Sequence, residues 1–432
     1  MLSVLRQRNF ALLWFGQLIS NIGDWVIKIA LPYYTYQLTG SVLATGSIFL
    51  ASVLPGVFLG SVAGVFVDRW SRKWTMIGMD LVRTLLFMTL LAVHSASDIW
   101  IIYTVSVLDS VCGLFFSPAK SAIIPSLVGE QHLIAANSLN GIGDNLPRLV
   151  GPLLGGVLLN LSGNLTSVTC VDSITFLFSG LMIFLITAPS TFLADRTRPI
   201  QTSIGGALIK VWQEWIDGLH VVKTQQFILI LFIVIGITGI ADSPLTVLLS
   251  PFVEHNLHSN AVGMSWILVG QGIGGLLGAW LVAQLSKRVP LVLLMLVSLL
   301  ATGLTALIIA NVPVLPVSIA CITFVGICVM QWAVSFEMLL QQHTADAYRG
   351  RVFGTFGNIA SLLSLGVLIL VSATGDYIGT IPWLTISGLL YLLTTAIGAV
   401  KLRDFLFKKS DHSPESLVSS QSPIPTSETK NV

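Results

Sequence analysis

Apolar residues in this chain come in long runs, each near the ~20 residues a helix needs to cross a ~30 Å hydrocarbon core. About twelve can be counted, at roughly 10–37, 41–66, 75–95, 99–118, 133–160, 165–188, 225–250, 261–285, 289–311, 314–339, 352–373 and 382–402. The first is not uniformly apolar. Its stretch GQLISNIGDWVIK, residues 16–28, spaces Gln17, Asn21, Asp24 and Lys28 by four, three and four. That spacing puts them on one helical face, while Leu18, Ile19, Ile22, Trp25, Val26 and Ile27 fill the rest. The pattern predicts an all-α polytopic membrane protein whose first span carries a polar stripe.

Composition agrees. The 432 residues are 54% hydrophobic and 10% charged, against roughly a quarter charged in soluble domains. The net charge of +2 matters less than where the cations sit. Arg6, Arg8, Arg69, Arg72, Lys73, Lys210, Lys287, Arg288, Arg349, Arg351, Lys401 and Arg403 flank alternate connections, and the connections between them hold no Lys or Arg. The positive-inside rule then puts both termini in the cytoplasm. Cys112, Cys170, Cys321 and Cys328 all fall inside spans, so no external disulfide framework is implied. The first run is too long for a cleavable signal peptide.

The chain divides into similar halves. Gly56, Gly60 and Gly64 precede Arg72–Lys73, and Gly270, Gly274 and Gly278 precede Lys287–Arg288. Glycine at every fourth residue lets membrane helices approach closely, and its recurrence suits the internal symmetry of a transporter. The predicted organisation is an N-terminal six-helix bundle over 1–188, a cytoplasmic linker over 189–224, a C-terminal bundle over 225–403 and a disordered tail over 404–432. Within the linker Leu208, Val211, Trp212, Trp215, Leu219 and Val222 lie at helical spacing, which predicts an amphipathic helix on the membrane surface.

Two motifs add chemistry. The connection GVFVDRWSRK sets Gly64, Asp68, Arg69, Arg72 and Lys73 where they can clamp neighbouring helix ends. It resembles the signature loop between helices two and three of the major facilitator superfamily, with Ser71 in place of the second glycine. The matching stretch AWLVAQLSKR in the second half keeps only the basic pair. In the fifth run GPLLGG (Gly151, Pro152, Gly155, Gly156) is similar to the core of the antiporter motif of drug:proton antiporters, although Ser138 and Pro147 stand where the longer pattern has glycines. Small residues permit tight packing and Pro152 removes a backbone hydrogen bond. FALLWFGQLISNIGDW, LTGSVLATG, FSPAKSAIIPSLV, AANSLNGI and RGRVFGTFGN resemble the branch that holds macrolide efflux proteins and the enterobactin exporter. The resemblance implies twelve helices in two pseudo-symmetric bundles, a bacterial cytoplasmic membrane, and proton-coupled export of an amphiphile such as a drug, a macrolide or a siderophore.

The spans hold Asp24, Lys28, Arg83, Asp109, Asp144, Arg148, Asp172 and Asp242. At ~2.5–3.5 kcal/mol for each charge facing lipid, they must face the protein interior, a water-filled cavity or each other. The resemblance implies that spans one, four, seven and ten line the cavity, which selects Asp24, Lys28, Asp109, Asp242 and the stripe Cys328, Gln331, Ser335. Asp24–Lys28 and Asp144–Arg148 repeat one i, i+4 design. Each reads either as a satisfied ion pair or as a site whose acid takes up a proton. Asp109 precedes Gly113 by four, where the family commonly has an arginine, so Arg83 is left to supply the cation unless Asp109 itself couples protons. Asp172 reads as a packing residue, and Asp80 and Glu337 as interfacial. Trp14, Trp25 and Trp332 are expected on the cavity side.

The seven histidines are scattered in or near loops, and the sequence has no phosphate loop, nucleophile elbow or metal-spaced set. No enzymatic reaction, cofactor or metal is therefore expected. The expected partners are a small-molecule substrate, protons and the lipid bilayer, with no nucleic acid and a monomeric state. An importer or uniporter of a metabolite on the same fold, and a transport-dead sensor or scaffold, stand as alternatives.

Overall fold

The computed structural model describes residues 4–67, 70–187, 225–344 and 349–403. The predicted linker helix, Asp68, Arg69 and the tail lie outside the described residues. Among these, twelve helices follow one another: α1 (Arg8–Thr39), α2 (Val42–Val67), α3 (Arg72–Met88), α4 (Ile99–Val128), α5 (Leu133–Ser162) and α6 (Thr166–Phe184), then α7 (Gln226–Pro251), α8 (Ala261–Leu285), α9 (Leu291–Asn311), α10 (Leu315–His343), α11 (Arg349–Ile378) and α12 (Thr380–Lys401). Eleven are long and apolar enough to cross a membrane. The exception is α5, whose apolar surface is diluted by Asn137, Asn140, Asp144, Asn145 and Arg148.

Local chemistry sets the ends. Gly40 closes α1 at φ 62°, a conformation glycine takes without strain, and its N–H donates to the Tyr36 carbonyl. Helix α4 runs ten residues past its predicted end near Pro118. Ala119, Ile123, Ile124 and Val128 extend its buried face through both Pro118 and Pro125. Beyond α7 the chain makes a π-helical turn, Phe252–Asn256.

The two halves pack alike. In the first, α1 lies against α5 and α6, α3 against α4 and α6, and α2 against α4. Six helices on, α7 lies against α11 and α12, α9 against α10 and α12, and α8 against α10. Every pair recurs. The halves meet through α5 with α8 and α2 with α11.

Contact between the halves is one-sided. Away from the basic face, one apolar core joins Val26, Ile29 and Tyr33 of α1 to Phe252, Val253, Ala261 and Met264 of the second half. Towards the basic face each half has its own core, one around Phe10, Met76 and Ile123 and another around Phe232, Leu296 and Leu339. Hydrogen bonding follows the same division. Asn260 donates to Asn160 at 3.0 Å, Ser265 to the Pro152 carbonyl at 2.7 Å, and the Tyr36 hydroxyl meets His255 Nδ1 at 3.3 Å. Asp376 of α11 caps α2 across the divide, accepting from Val42 N at 2.7 Å, Ser41 Oγ at 2.9 Å and Leu43 N at 3.4 Å. The protein is closed on the face opposite its basic side and parted on the basic side.

The repeated glycines do not behave alike. In α8, Gly270, Gly274 and Gly278 lie so close to Thr323 and Ile327 of α10 that a side chain would collide. In α2, Gly56 and Gly60 face open space, against the close helix approach predicted for them. The reason is the parting itself, since α2 meets α11 at its far end, where Gly46 abuts Ser372 and Val42 abuts Gly375.

Asp376→Ala removes a charged cap from α2, a loss of about 1–2 kcal/mol or roughly tenfold in population. Spin labels at Leu43 and Tyr377, both exposed, in a background without native cysteines should report this. The expected outcome is a short distance in the parent and a new, longer population in Asp376→Ala.

Candidate functional site

Between the halves lies a cavity of about 660 Å³, within the usual size of a small-molecule site. Its wall is mainly apolar, with Ile27, Leu31, Phe49, Leu245, Met264 and Ile322 drawn from both halves. Set into that wall are Asp24 and Lys28 of α1, Asp109 of α4, Asp242 of α7 and Gln271 of α8. The polar stripe of the first span thus reaches the cavity with Asp24 and Lys28. Its other two members turn inward: Gln17 Nε2 donates to Ser179 Oγ at 3.0 Å, and Asn21 Nδ2 donates to the Gly143 carbonyl at 3.3 Å and Asp144 Oδ1 at 3.4 Å.

One cation organises the first half. Arg83 Nε sits 3.0 Å from Asp109 Oδ1, and its Nη2 donates to the Asp109 carbonyl at 3.4 Å. Its guanidinium carbon lies 5.1 Å from the ring centre of Phe176 and 5.8 Å from that of Phe116. Both rings are within cation–π distance of the guanidinium. Asp24 and Asp80 also act on Arg83 electrostatically. Asp80 is 1% exposed and accepts from Ser179 Oγ at 2.7 Å, which extends the chain Gln17–Ser179–Asp80. It is a core residue, not the interfacial one expected. Distance from a helix end gives depth, and says nothing about which face is buried.

The i, i+4 pairs are not ion pairs here. Lys28 Nζ lies over the Trp25 ring at 5.3 Å, and Arg148 lies over the same ring at 5.8 Å. The cation within reach of Asp144 is Lys120 of α4, at 3.8 Å. Asp144 and Arg148 take partners on other helices, and Lys28 takes a ring on its own helix. Lys120 drew no attention in the sequence, although a lone lysine just past an apolar run, in FSPAKSA, was a usable signal. Asp24 has no ion pair among the described residues.

Two further pockets continue from the cavity. One, of about 160 Å³, is lined by Gln17, Ser20, Asn21, Asp24, Arg83 and Lys120, and shares Asp24 and Gly113 with the cavity. The next, of about 470 Å³, shares Lys120 and Ser117 with it and adds Asn137, Asn140 and Asp144. Together they form a polar route beside the apolar cavity.

Other expectations fare unevenly. Asp242 lines the cavity and accepts from the Tyr391 hydroxyl at 3.3 Å. Gln331 does not line it: its Oε1 accepts from Ser298 Oγ at 3.1 Å, and Cys328 and Ser335 are buried beside it. Of the tryptophans, Trp25 lines the cavity, Trp14 donates to the Leu139 carbonyl at 2.9 Å, and Trp332 packs in the second half's core. In the connection between α2 and α3, Arg72 donates to the Ala122 carbonyl at 2.8 Å, and Lys73 to the Phe184 and Ile186 carbonyls at 2.8 Å each. Lys73 thereby supplies a cation to the free carbonyls ending α6. In GPLLGG, Gly151 and Gly155 receive the α1 backbone at Ile22–Val26, and Gly156 receives Ser265 and Ala261 of α8. The motif seams three helices and both halves.

Arg83→Gln strands the acids around it, which should cost about 3–5 kcal/mol in stability. Adding Asp109→Asn removes one stranded charge, so the double variant should unfold at a higher temperature than Arg83→Gln alone. Thermal unfolding of purified protein measures both.

The family model of the Major Facilitator Superfamily matches residues 13–367. Macrolide efflux protein A of Streptococcus pyogenes is 24% identical over 388 residues, covering 89% of this chain and 93% of the relative. Multidrug efflux pump Tap of Mycobacterium tuberculosis is 28% identical over 374 residues, covering 83% and 85%. Among solved structures, an inward-facing bacterial homologue of the human lysosomal transporter Spinster superposes with a TM-score of 0.69 at 13% identity, covering 93% of this chain and 98% of that one. An inward-facing bacterial homologue of the iron transporter ferroportin gives 0.69 at 15% identity, covering 91% and 98%. With its paired six-helix halves around one cavity, the chain belongs to the Major Facilitator Superfamily, and is a transporter rather than an enzyme.

Proposed function

We propose that the protein exports amphiphilic, cation-bearing small molecules of the macrolide kind in exchange for protons. The observation that carries this reading is the wall of the cavity, apolar over most of its area and set with Asp24, Asp109 and Asp242. Apolar residues receive the body of an amphiphile, and carboxylates receive its ammonium group. Such acids can hold either a proton or the substrate's cation, and that competition is the basis of exchange. An anionic siderophore would meet one cation, Lys28, against three carboxylates among the described residues of that wall.

Direction follows from the charge pattern. If the basic face is cytoplasmic, the halves part towards the cytoplasm, where an export substrate enters. The efflux relatives support the same direction. Asp24 is the proposed exchange residue, since it lines both the cavity and the polar route and has no ion-pair partner among the described residues.

Cells expressing the chain should accumulate less erythromycin, a macrolide with a tertiary amine, than vector controls. A protonophore should erase the difference. Asp24→Asn keeps shape and removes titration, so accumulation should return to the vector level with the protein still inserted. Efflux untouched by the protonophore would contradict the proton-coupled reading.

A further inference from the structure

Asp172 of α6 takes no part in the arrangement above. It is completely buried, and neither carboxyl oxygen has a hydrogen-bond partner. Its neighbour Thr175 turns its hydroxyl to the Asp172 backbone carbonyl at 2.7 Å instead. Opposite stands Gly23 of α1, where any Cβ would lie 2.5 Å from Asp172 Oδ1 and would also strike the Thr175 hydroxyl. The carboxyl therefore fills a notch in α1, one residue before Asp24.

An ionised carboxylate without a partner is among the most expensive groups to bury, and a protonated one costs far less. Asp80 has Ser179 and Asp109 has Arg83; Asp172 has neither kind of support. The helices around it carry several charged groups within their apolar spans. From α1 come Asp24 and Lys28, from α3 Asp80 and Arg83, and from α4 Asp109. On α5, Asp144 is engaged with Lys120 and Arg148 with Trp25. Asp24, Asp109, Arg83 and Lys28 all act on Asp172 electrostatically. Among the described residues, Asp80, Asp109 and Asp172 lie in the interior of this half with Arg83 as the cation beside them, while Lys28 is exposed, so full ionisation would leave more negative than positive charge there.

We propose that Asp172 is a proton-binding site of the transport cycle, neutral in this conformation and exchanging its proton with Asp24 past the Gly23 notch. In that step, which needs a shift of α1 against α6 that brings the two carboxyls within hydrogen-bond reach, the O–H bond of Asp172 breaks as one forms on the Asp24 carboxylate. Asp24 then yields the proton to water in the polar route past Asn21 and Lys120. The same steps in reverse load Asp172. The proposal rests on the proton-coupled reading above.

The test uses purified full-length protein and its Asp172→Asn and Asp172→Glu variants. Infrared spectra at neutral pH should show a protonated-carboxyl C=O band that Asp172→Asn removes and Asp172→Glu shifts. In reconstituted vesicles, Asp172→Asn should lose erythromycin transport driven by a pH gradient, and Asp172→Glu should restore part of it. Wild-type transport in Asp172→Asn makes Asp172 a packing residue; the proposal falls while proton coupling stands. A wild-type protein indifferent to the gradient overturns both. Should Asp172→Asn not fold, an unshifted band in Asp172→Glu overturns the proposal.

Discussion

A single buried guanidinium sets the terms for the first half. Arg83 is held between Phe116 and Phe176 and ion-paired to Asp109, with Asp24 and Asp80 acting on it from α1 and from its own helix. One cation cannot neutralise several carboxyls, and the interior is too apolar to leave them charged and unpaired. On the reading proposed above, protons make up the difference, and the charge state of this region is tied to whatever else can offer a positive charge. A substrate ammonium entering the cavity is such a competitor. On that reading, binding and protonation are linked by desolvation, and the proton moves by way of Asp172 and Asp24.

The second constraint is geometric. Alternating access needs two halves that seal on one face while parting on the other. The seal seen here combines an apolar core with a few well-placed polar contacts, of which the Asp376 cap on α2 is the most directional. Because Asp376 belongs to one half and the helix end it caps belongs to the other, opening that face removes the cap. The open glycine face of α2 is the converse case, a surface without a neighbour in this state. By contrast Gly151, Gly155 and Gly156 are fully used, two against α1 and one against α8, which ties α5 to both halves.

Much of the fold was legible because hydrocarbon leaves so few solutions. Runs of about twenty apolar residues can only be spans, and a stripe such as Asp24 and Lys28 can only face something polar. What misled was pairing. Acid and base four apart on one helix are neighbours, yet Asp144 lies by Lys120 and Lys28 by Trp25, since partners on adjacent helices and aromatic faces compete for the same groups. Gln331 was placed in the cavity by its helix and removed from it by its bond to Ser298. For Asp80, the i, i+3 and i+4 positions Arg83 and Thr84 already marked a polar face on α3. Nothing in VDSITFLF marks Asp172 as unpartnered, because that depends on Gly23 a hundred and more residues away.

The central claim is that protons and substrate compete for the same carboxyls. Calorimetry of erythromycin binding to the purified protein, repeated in buffers of different ionisation enthalpy, counts the protons exchanged on binding. The account predicts an apparent enthalpy that varies with the buffer in the sense of proton release, more strongly at acid pH. An enthalpy independent of the buffer across that range would contradict it.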